Sequence, residues 1–148
     1  MSNHSLPRSD FDSEKLLLRL NFSGPANLKS ITSVTDWVVG AAKEMGCIVG
    51  KEFQVEMALR EALANAIIHG CKNDPEKTVQ FCVACDQARG MLIVVRDPGE
   101  GFDPSSIPSP TVGENVYSEH GRGIFLINQL MDEVRFERGG TEIHMRKR

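Results

Sequence analysis

The hydrophobic and polar positions change period along the chain, and the changes mark out the elements. Residues 16–22 alternate and are rich in strand-compatible types, which predicts a first strand ended by Ser23-Gly24-Pro25. Over 26–45 the apolar residues Leu28, Ile31, Val34, Trp37, Val38, Ala41 and Met45 recur at helical spacing, so an amphipathic helix closed by Gly46 is expected. A second helix is predicted over 51–68, with Val55, Leu59, Ala62, Leu63, Ala66 and Ile67 as its buried stripe and Gly70 as its C-terminal cap. Asn73-Asp74-Pro75 reads as a turn. Strands are expected over 78–85 and 91–96, joined by a turn containing Arg89-Gly90. Periodicity returns at Gly121 with a short helix, and strands over 133–137 and 141–145 flank a Gly139-Gly140 hairpin turn.

Between 97 and 120 the periodicity lapses, and Pro98, Pro104, Pro108 and Pro110 stand among serines. A connection this long inside a compact domain is usually a lid or binding loop, or else disordered; a lid over residues 103–120 is expected here. The element order is strand, two helices, two strands, lid, helix, two strands. It predicts an α+β two-layer sandwich, a mainly antiparallel sheet covered on one face by helices. A flexible leader over 1–14 is expected to precede a single domain over 15–148, with no internal repeat.

Composition narrows the class. Hydrophobic residues make up 41% and charged residues 25%, as in a globular protein with a substantial core. The net charge of -3 supplies no global basic field for nucleic acid, and Arg146-Lys147-Arg148 reads as a solvated run. No apolar run is long enough to span a membrane and no signal-peptide segment is seen, so a cytoplasmic protein without direct nucleic-acid or membrane partners is expected. There Cys47, Cys71, Cys82 and Cys85 would remain thiols, with Cys82-x-x-Cys85 simply buried in a strand.

Three clusters carry possible chemistry. Glu61 and Asn65 lie four apart on one face of the second helix, and His69 continues the row. A carboxylate beside an amide oxygen suits a hard cation such as Mg²⁺, which is held by one or two protein groups plus substrate phosphates. The plainer reading is an exposed Glu and a helix-packing Asn. Asp97-Pro98-Gly99-Glu100-Gly101 follows a strand: the carboxylate can accept a hydrogen bond from an exocyclic amine such as that of adenine, and Gly99 and Gly101 let backbone approach a flat ring. The plainer reading is a turn. Gly121-Arg122-Gly123 opens a helix, whose N–H groups and positive end suit an anion, with Arg122 in reach of a phosphate; the plainer reading is a helix start. Together they describe a nucleotide site. It is neither a P-loop nor a dinucleotide fold, since the glycine patterns of both are missing.

At these residues the sequence resembles the GHKL ATPase superfamily, whose members include gyrase B, MutL and histidine kinases. Glu61-x-x-x-Asn65 is similar to its N box, Asp97-x-Gly99-x-Gly101 to its first glycine box and Gly121-x-Gly123 to its second. Glu61 to Gly70 and Asp97 to Asp103 are most similar to the anti-sigma-factor serine kinases of the RsbW and SpoIIAB type. The resemblance implies a Bergerat-type fold binding ATP and Mg²⁺, with Asn65 on the metal, Asp97 on adenine and Thr141 assisting from a late strand. It implies Glu61 as general base for transfer of the γ-phosphoryl group to a protein hydroxyl. The implied partners are a sigma factor and a STAS-domain antagonist bearing the target serine or threonine, and the implied assembly is a homodimer. The competing reading is a module that binds ATP and captures a partner without catalysis. A histidine kinase is disfavoured, because there is no room for a phosphoacceptor helix pair and Glu61 stands where those enzymes more often carry an amide.

Overall fold

The computed structural model describes residues 18–86, 88–101 and 119–148. The expected leader, and all of the expected lid except residues 119 and 120, lie outside them. β1 (Leu18–Pro25) alternates between half-buried and exposed side chains. It runs through Ser23-Gly24-Pro25 instead of stopping before it. β1 pairs with β2 alone and lies at the sheet edge, where a proline is tolerated opposite Thr78.

The first helix begins later than expected. Asn27 accepts the Lys29 N–H at 2.9 Å and caps a 3₁₀ turn, Leu28–Ser30, so α1 spans Ile31–Glu44. Gly46 closes it as predicted: its φ of 72° lets the Cys47 N–H turn back to the Ala42 carbonyl at 2.9 Å. α2 covers Glu52–Asn65 and continues as a π-helical turn, Ala66–Gly70, closed by the Cys71 N–H on the Ala66 carbonyl at 2.8 Å. Gly70 is therefore no left-handed cap. The positive φ values fall on Lys72 and Asn73, and the role of Gly70 lies elsewhere.

β2 (Thr78–Asp86), β3 (Gly90–Arg96), β4 (Glu133–Glu137) and β5 (Glu142–Lys147) complete the sheet, with α3 (Glu119–Leu130) before β4. The strand order is β1-β2-β3-β5-β4 and every pairing is antiparallel. This is the two-layer α+β arrangement that the element order predicts. α2 packs between α1 and α3 on one face. Val55, Leu59, Phe81, Ile93, Ile127 and Met145 are fully buried in the shared core, each worth about 1.5–3 kcal/mol of transfer free energy. Phe22 stacks on Phe81 with ring centroids 4.9 Å apart, which holds the edge strand to the core. Cys82, Ala84, Leu92 and Val94 form a second buried cluster. Strand alternation puts it on the other face of the sheet.

Two expectations are corrected here. Cys47 and Cys85 are disulfide-bonded, their Cα atoms 6.1 Å apart, because the close of α1 lays Cys47 over the end of β2. Cys82 and Cys85, three apart in a strand, point to opposite faces and make no site. Cys71 and Cys82 are free and buried, and burial is the main cause that pushes both thiols up to about 11. The run Arg146-Lys147-Arg148 is no loose solvated stretch. Arg146 and Lys147 belong to β5, the Lys147 Nζ donates to the Leu130 carbonyl at 2.7 Å, and the Arg148 guanidinium lies 2.9 Å from Glu133.

No helix among the described residues is long and apolar enough to cross a membrane.

Candidate nucleotide site

β3 and β5 end side by side, and the site begins there. The Asp97 N–H donates to the Thr141 carbonyl at 2.9 Å, one rung beyond the Arg96–Glu142 pairing, so the two strands deliver Asp97 and Thr141 together. The Asp97 Oδ1 accepts the Gly99 N–H at 2.8 Å, which fixes the carboxylate and leaves Oδ2 to meet a donor in the pocket. Burial pushes the Asp97 carboxyl above the ordinary aspartate range, only partly offset by the Gly99 N–H. The Thr141 hydroxyl donates to the Arg138 carbonyl at 2.8 Å and keeps acceptor capacity.

Each glycine of the first box is required by contact. A Cβ on Gly99 would overlap the Gly70 carbonyl oxygen, and one on Gly101 would overlap the Gly139 carbonyl. Gly101 also has a φ of +80°, which an L side chain rarely adopts. The segment after β3 is thereby pressed between the π-turn of α2 and the β4–β5 turn.

A pocket of about 560 Å³, part of it open to solvent, lies among α2, α3 and the ends of β3, β4 and β5. Its walls are apolar, from Ala62, Ala66, Val95, Ile124, Phe136 and Ile143, while Asn65, His69, Asp97 and Thr141 supply the polar groups. Apolar walls with a few convergent polar groups are the usual make-up of a small-molecule pocket.

A second cleft, of about 680 Å³ with its open mouth, is lined by Glu61, Ala64, Asn65, Ile68, His69, Arg122, Gly123 and Leu126. Asn65 and His69 line both, so the two form one continuous surface. Gly123 lets α3 lie close to α2: a Cβ there would come within 3.0 Å of the Glu61 Oε2 and 3.4 Å of the Asn65 amide. α3 opens at Glu119, two residues before the expected start, which places Gly121, Arg122 and Gly123 within or just after its first turn. Gly123, one turn into the helix, is thus the point at which α3 meets Glu61 and Asn65 across the cleft. Gly121 is buried and Arg122 exposed.

Of the residues expected from the sequence, Glu61, Asn65, Asp97, Gly101, Arg122, Gly123 and Thr141 line the two clefts, and Gly99 packs against Gly70 and Asp97 beside them, whereas Gly121 is buried within the start of α3. The structure adds Gly70, and it gives His69 a place at the junction of the two clefts. The small residues Ala62 and Ala66, read only as core, also floor the pocket. Among the described residues no group of three or more His, Cys, Asp or Glu could hold a metal by itself. The donors suited to a hard cation are the Asn65 amide oxygen and the Glu61 carboxylate, a set that needs oxygens from a ligand to complete it.

Residues 24–147 match the histidine kinase-like ATPase domain family. The chain is 31% identical to the serine-protein kinase RsbW of Bacillus subtilis (strain 168) over 134 residues, which covers 83% of this chain and 81% of that protein. It is 29% identical to the anti-sigma F factor of Bacillus cytotoxicus over 136 residues, covering 88% and 90% of the two chains. RsbW of Bacillus licheniformis is 31% identical over 140 residues.

Proposed function

The chain belongs to the histidine kinase-like ATPase family, and from that premise we propose that it is an ATP-dependent serine/threonine protein kinase acting as an anti-sigma regulator. The observation that carries the reading is the continuity of the two clefts through Asn65. One cleft is an apolar slot ending on Asp97 and Thr141. The other sets a carboxylate against the start of a helix.

Adenine fits the slot, with its amine donating to the Asp97 Oδ2 and Thr141 beside it. The phosphates then extend past Asn65 and His69 to the first turn of α3, where backbone N–H groups and Arg122 meet their charge. Through its amide oxygen Asn65 would hold Mg²⁺, which supplies neutralisation of phosphate charge when bound. Glu61 acts as general base: its carboxylate takes the proton of the acceptor hydroxyl as that oxygen bonds to the γ-phosphorus and the bond to ADP breaks. The partners are a sigma factor and a STAS-domain antagonist carrying the acceptor serine or threonine. We place the protein in the cytoplasm, where a disulfide such as Cys47–Cys85 is an exception, as a homodimer, a single domain over 15–148 with no direct nucleic-acid or membrane contact.

Transfer of labelled phosphate from γ-labelled Mg-ATP to a serine or threonine of a STAS-domain antagonist tests the reading. Tight ATP binding without transfer to any cognate antagonist would instead favour the partner-capture module.

A further inference from the structure

The face of the sheet away from the helices carries a charged network directly behind the Asp97–Thr141 contact. Arg96 is the last residue of β3 and Glu142 the first of β5, and they stand opposite each other in the ladder. The Arg96 Nε donates to the Glu142 Oε2 at 2.7 Å, with the side chains only 14% and 8% exposed. The other carboxylate oxygen, Oε1, lies 2.7 Å from the His144 Nε2, and the His144 Nδ1 is 3.3 Å from an Arg135 guanidinium nitrogen. With Nε2 protonated, a neutral His144 donates to Glu142 and accepts from Arg135, so one tautomer satisfies both contacts. Arg135 in turn lies 2.8 Å from Glu137, which is paired with Glu142 in the β4–β5 register. Like charges directly opposite repel; the two arginines offset that repulsion.

Asp97 and Thr141 immediately follow Arg96 and precede Glu142 in the chain. Successive residues of a strand point to opposite faces, so the ion pair and the adenine-reading carboxylate stand on adjacent rungs and opposite faces. One backbone bond, Asp97 N–H to the Thr141 carbonyl, joins the strand ends on that rung. The Arg96–Glu142 pair is a low-exposure side-chain clamp on the next rung. We propose that Arg96 and Glu142 are positioning residues for the nucleotide site, fixing the separation of Asp97 and Thr141 and hence the discrimination of adenine from other bases. This rests on the kinase reading above.

A buried ion pair of this kind is not explained well by stability. Replacing both partners with apolar residues is often neutral or stabilising, whereas removing one leaves an orphaned charge. The informative variant is therefore the double substitution Arg96→Met/Glu142→Leu, with Arg96→Lys as the conservative companion. ATP and inosine triphosphate, which lacks the adenine amine, are titrated calorimetrically into each full-length protein, and unfolding is followed in parallel. The double variant is expected to stay folded, to bind ATP about tenfold more weakly and to lose preference for ATP over inosine triphosphate. That loss is smaller than the roughly 10²-fold effect of a 1 Å misplacement in a reacting geometry. Arg96→Lys retains the charge and is expected to recover most of the preference. In an Asp97→Asn background the double substitution should have no further effect on the ATP preference, because the group it positions is gone. If the double variant folds and keeps wild-type ATP affinity and preference, the pair is an ordinary cross-strand contact and the inference is overturned. If it fails to fold, the single variant Arg96→Gln, which removes the charge from the pair, decides: a lost preference upholds the clamp, and wild-type ATP affinity and preference overturn the inference. A wild-type protein that binds no ATP overturns the kinase reading, and this inference with it.

Discussion

Gly70 lies directly against the carboxylate of Asp97: a Cβ built on Gly70 would overlap the carboxyl carbon and come within 2.5 Å of both oxygens. The last turn of α2 is thus fitted to the end of β3 by the absence of one side chain. Gly70→Ala should raise the intrinsic helical preference of this turn by about 0.5–1 kcal/mol. It should also push the Asp97 carboxylate off its position. Losing a well-placed buried hydrogen bond costs about 1–3 kcal/mol, so ATP should bind roughly 5- to 150-fold more weakly while the protein stays folded. Calorimetry that finds unchanged affinity would show that the Asp97 carboxylate does not contact the ligand.

Asp97 also sets a pH dependence. Burial raises its carboxyl above the ordinary aspartate range, so the native state favours the protonated form. Its contribution to folding is therefore greatest in acid, and declines as pH rises from the ordinary aspartate range through the raised native value. Accepting the adenine amine needs the ionised form. ATP affinity should accordingly fall with acidification, beginning at a higher pH than for an ordinary aspartate. Asp97→Asn should weaken ATP strongly and GTP little, and should erase this acid limb. Titrations over an acid-to-neutral pH series in which the variant keeps the limb would reassign it to another group.

Glu61 and Asn65 separate chemistry from binding. Glu61→Gln keeps the shape but loses the proton acceptor, so transfer should fall about 10²- to 10⁴-fold. ATP binding should hardly change. Asn65→Ala removes an oxygen from the point where the two clefts meet, so Mg-dependent ATP affinity and transfer should fall together. The comparison is made with labelled ATP and a cognate antagonist. Normal transfer by Glu61→Gln would return Glu61 to the role of a surface carboxylate.

The Cys47–Cys85 disulfide closes a sequence separation of 38 residues. A loop of that length corresponds to about 3–4 kcal/mol of chain entropy in the unfolded state. Cys47→Ser should therefore lower the melting temperature of the unreduced protein by about 10 °C. Thiol titration of the denatured, unreduced chain should modify Cys71 and Cys82 alone. Labelling of Cys47 and Cys85 under those conditions would show that the pair is reduced in the purified protein.

The elements, their order and the residue types of the candidate site are legible in the chain before any contact is known. Periodicity is local physics: Val55, Leu59 and Ala62 recur at helical spacing because they must face one core, and the alternation in β1 follows from the pleat. The glycines of both boxes and the residues Glu61, Asn65 and Asp97 were legible for a similar reason, since their side-chain chemistry, or the lack of a side chain, is written into the residue type. Boundaries were less legible. The start of α1 depended on the Asn27 cap, and the length of β1 on its being an edge strand, which is a property of the sheet. The juxtapositions come from the packing of strands and helices against one another. Gly70 looks like a helix cap until β3 is laid against it, and Cys47 finds Cys85 only because α1 ends above β2. Arg96 and Glu142 are unremarkable charges until strand order brings β5 beside β3. These contacts join residues 27 to 46 positions apart, and nothing in the local pattern encodes which surfaces meet: that is set by the packing of the whole sheet against its helices.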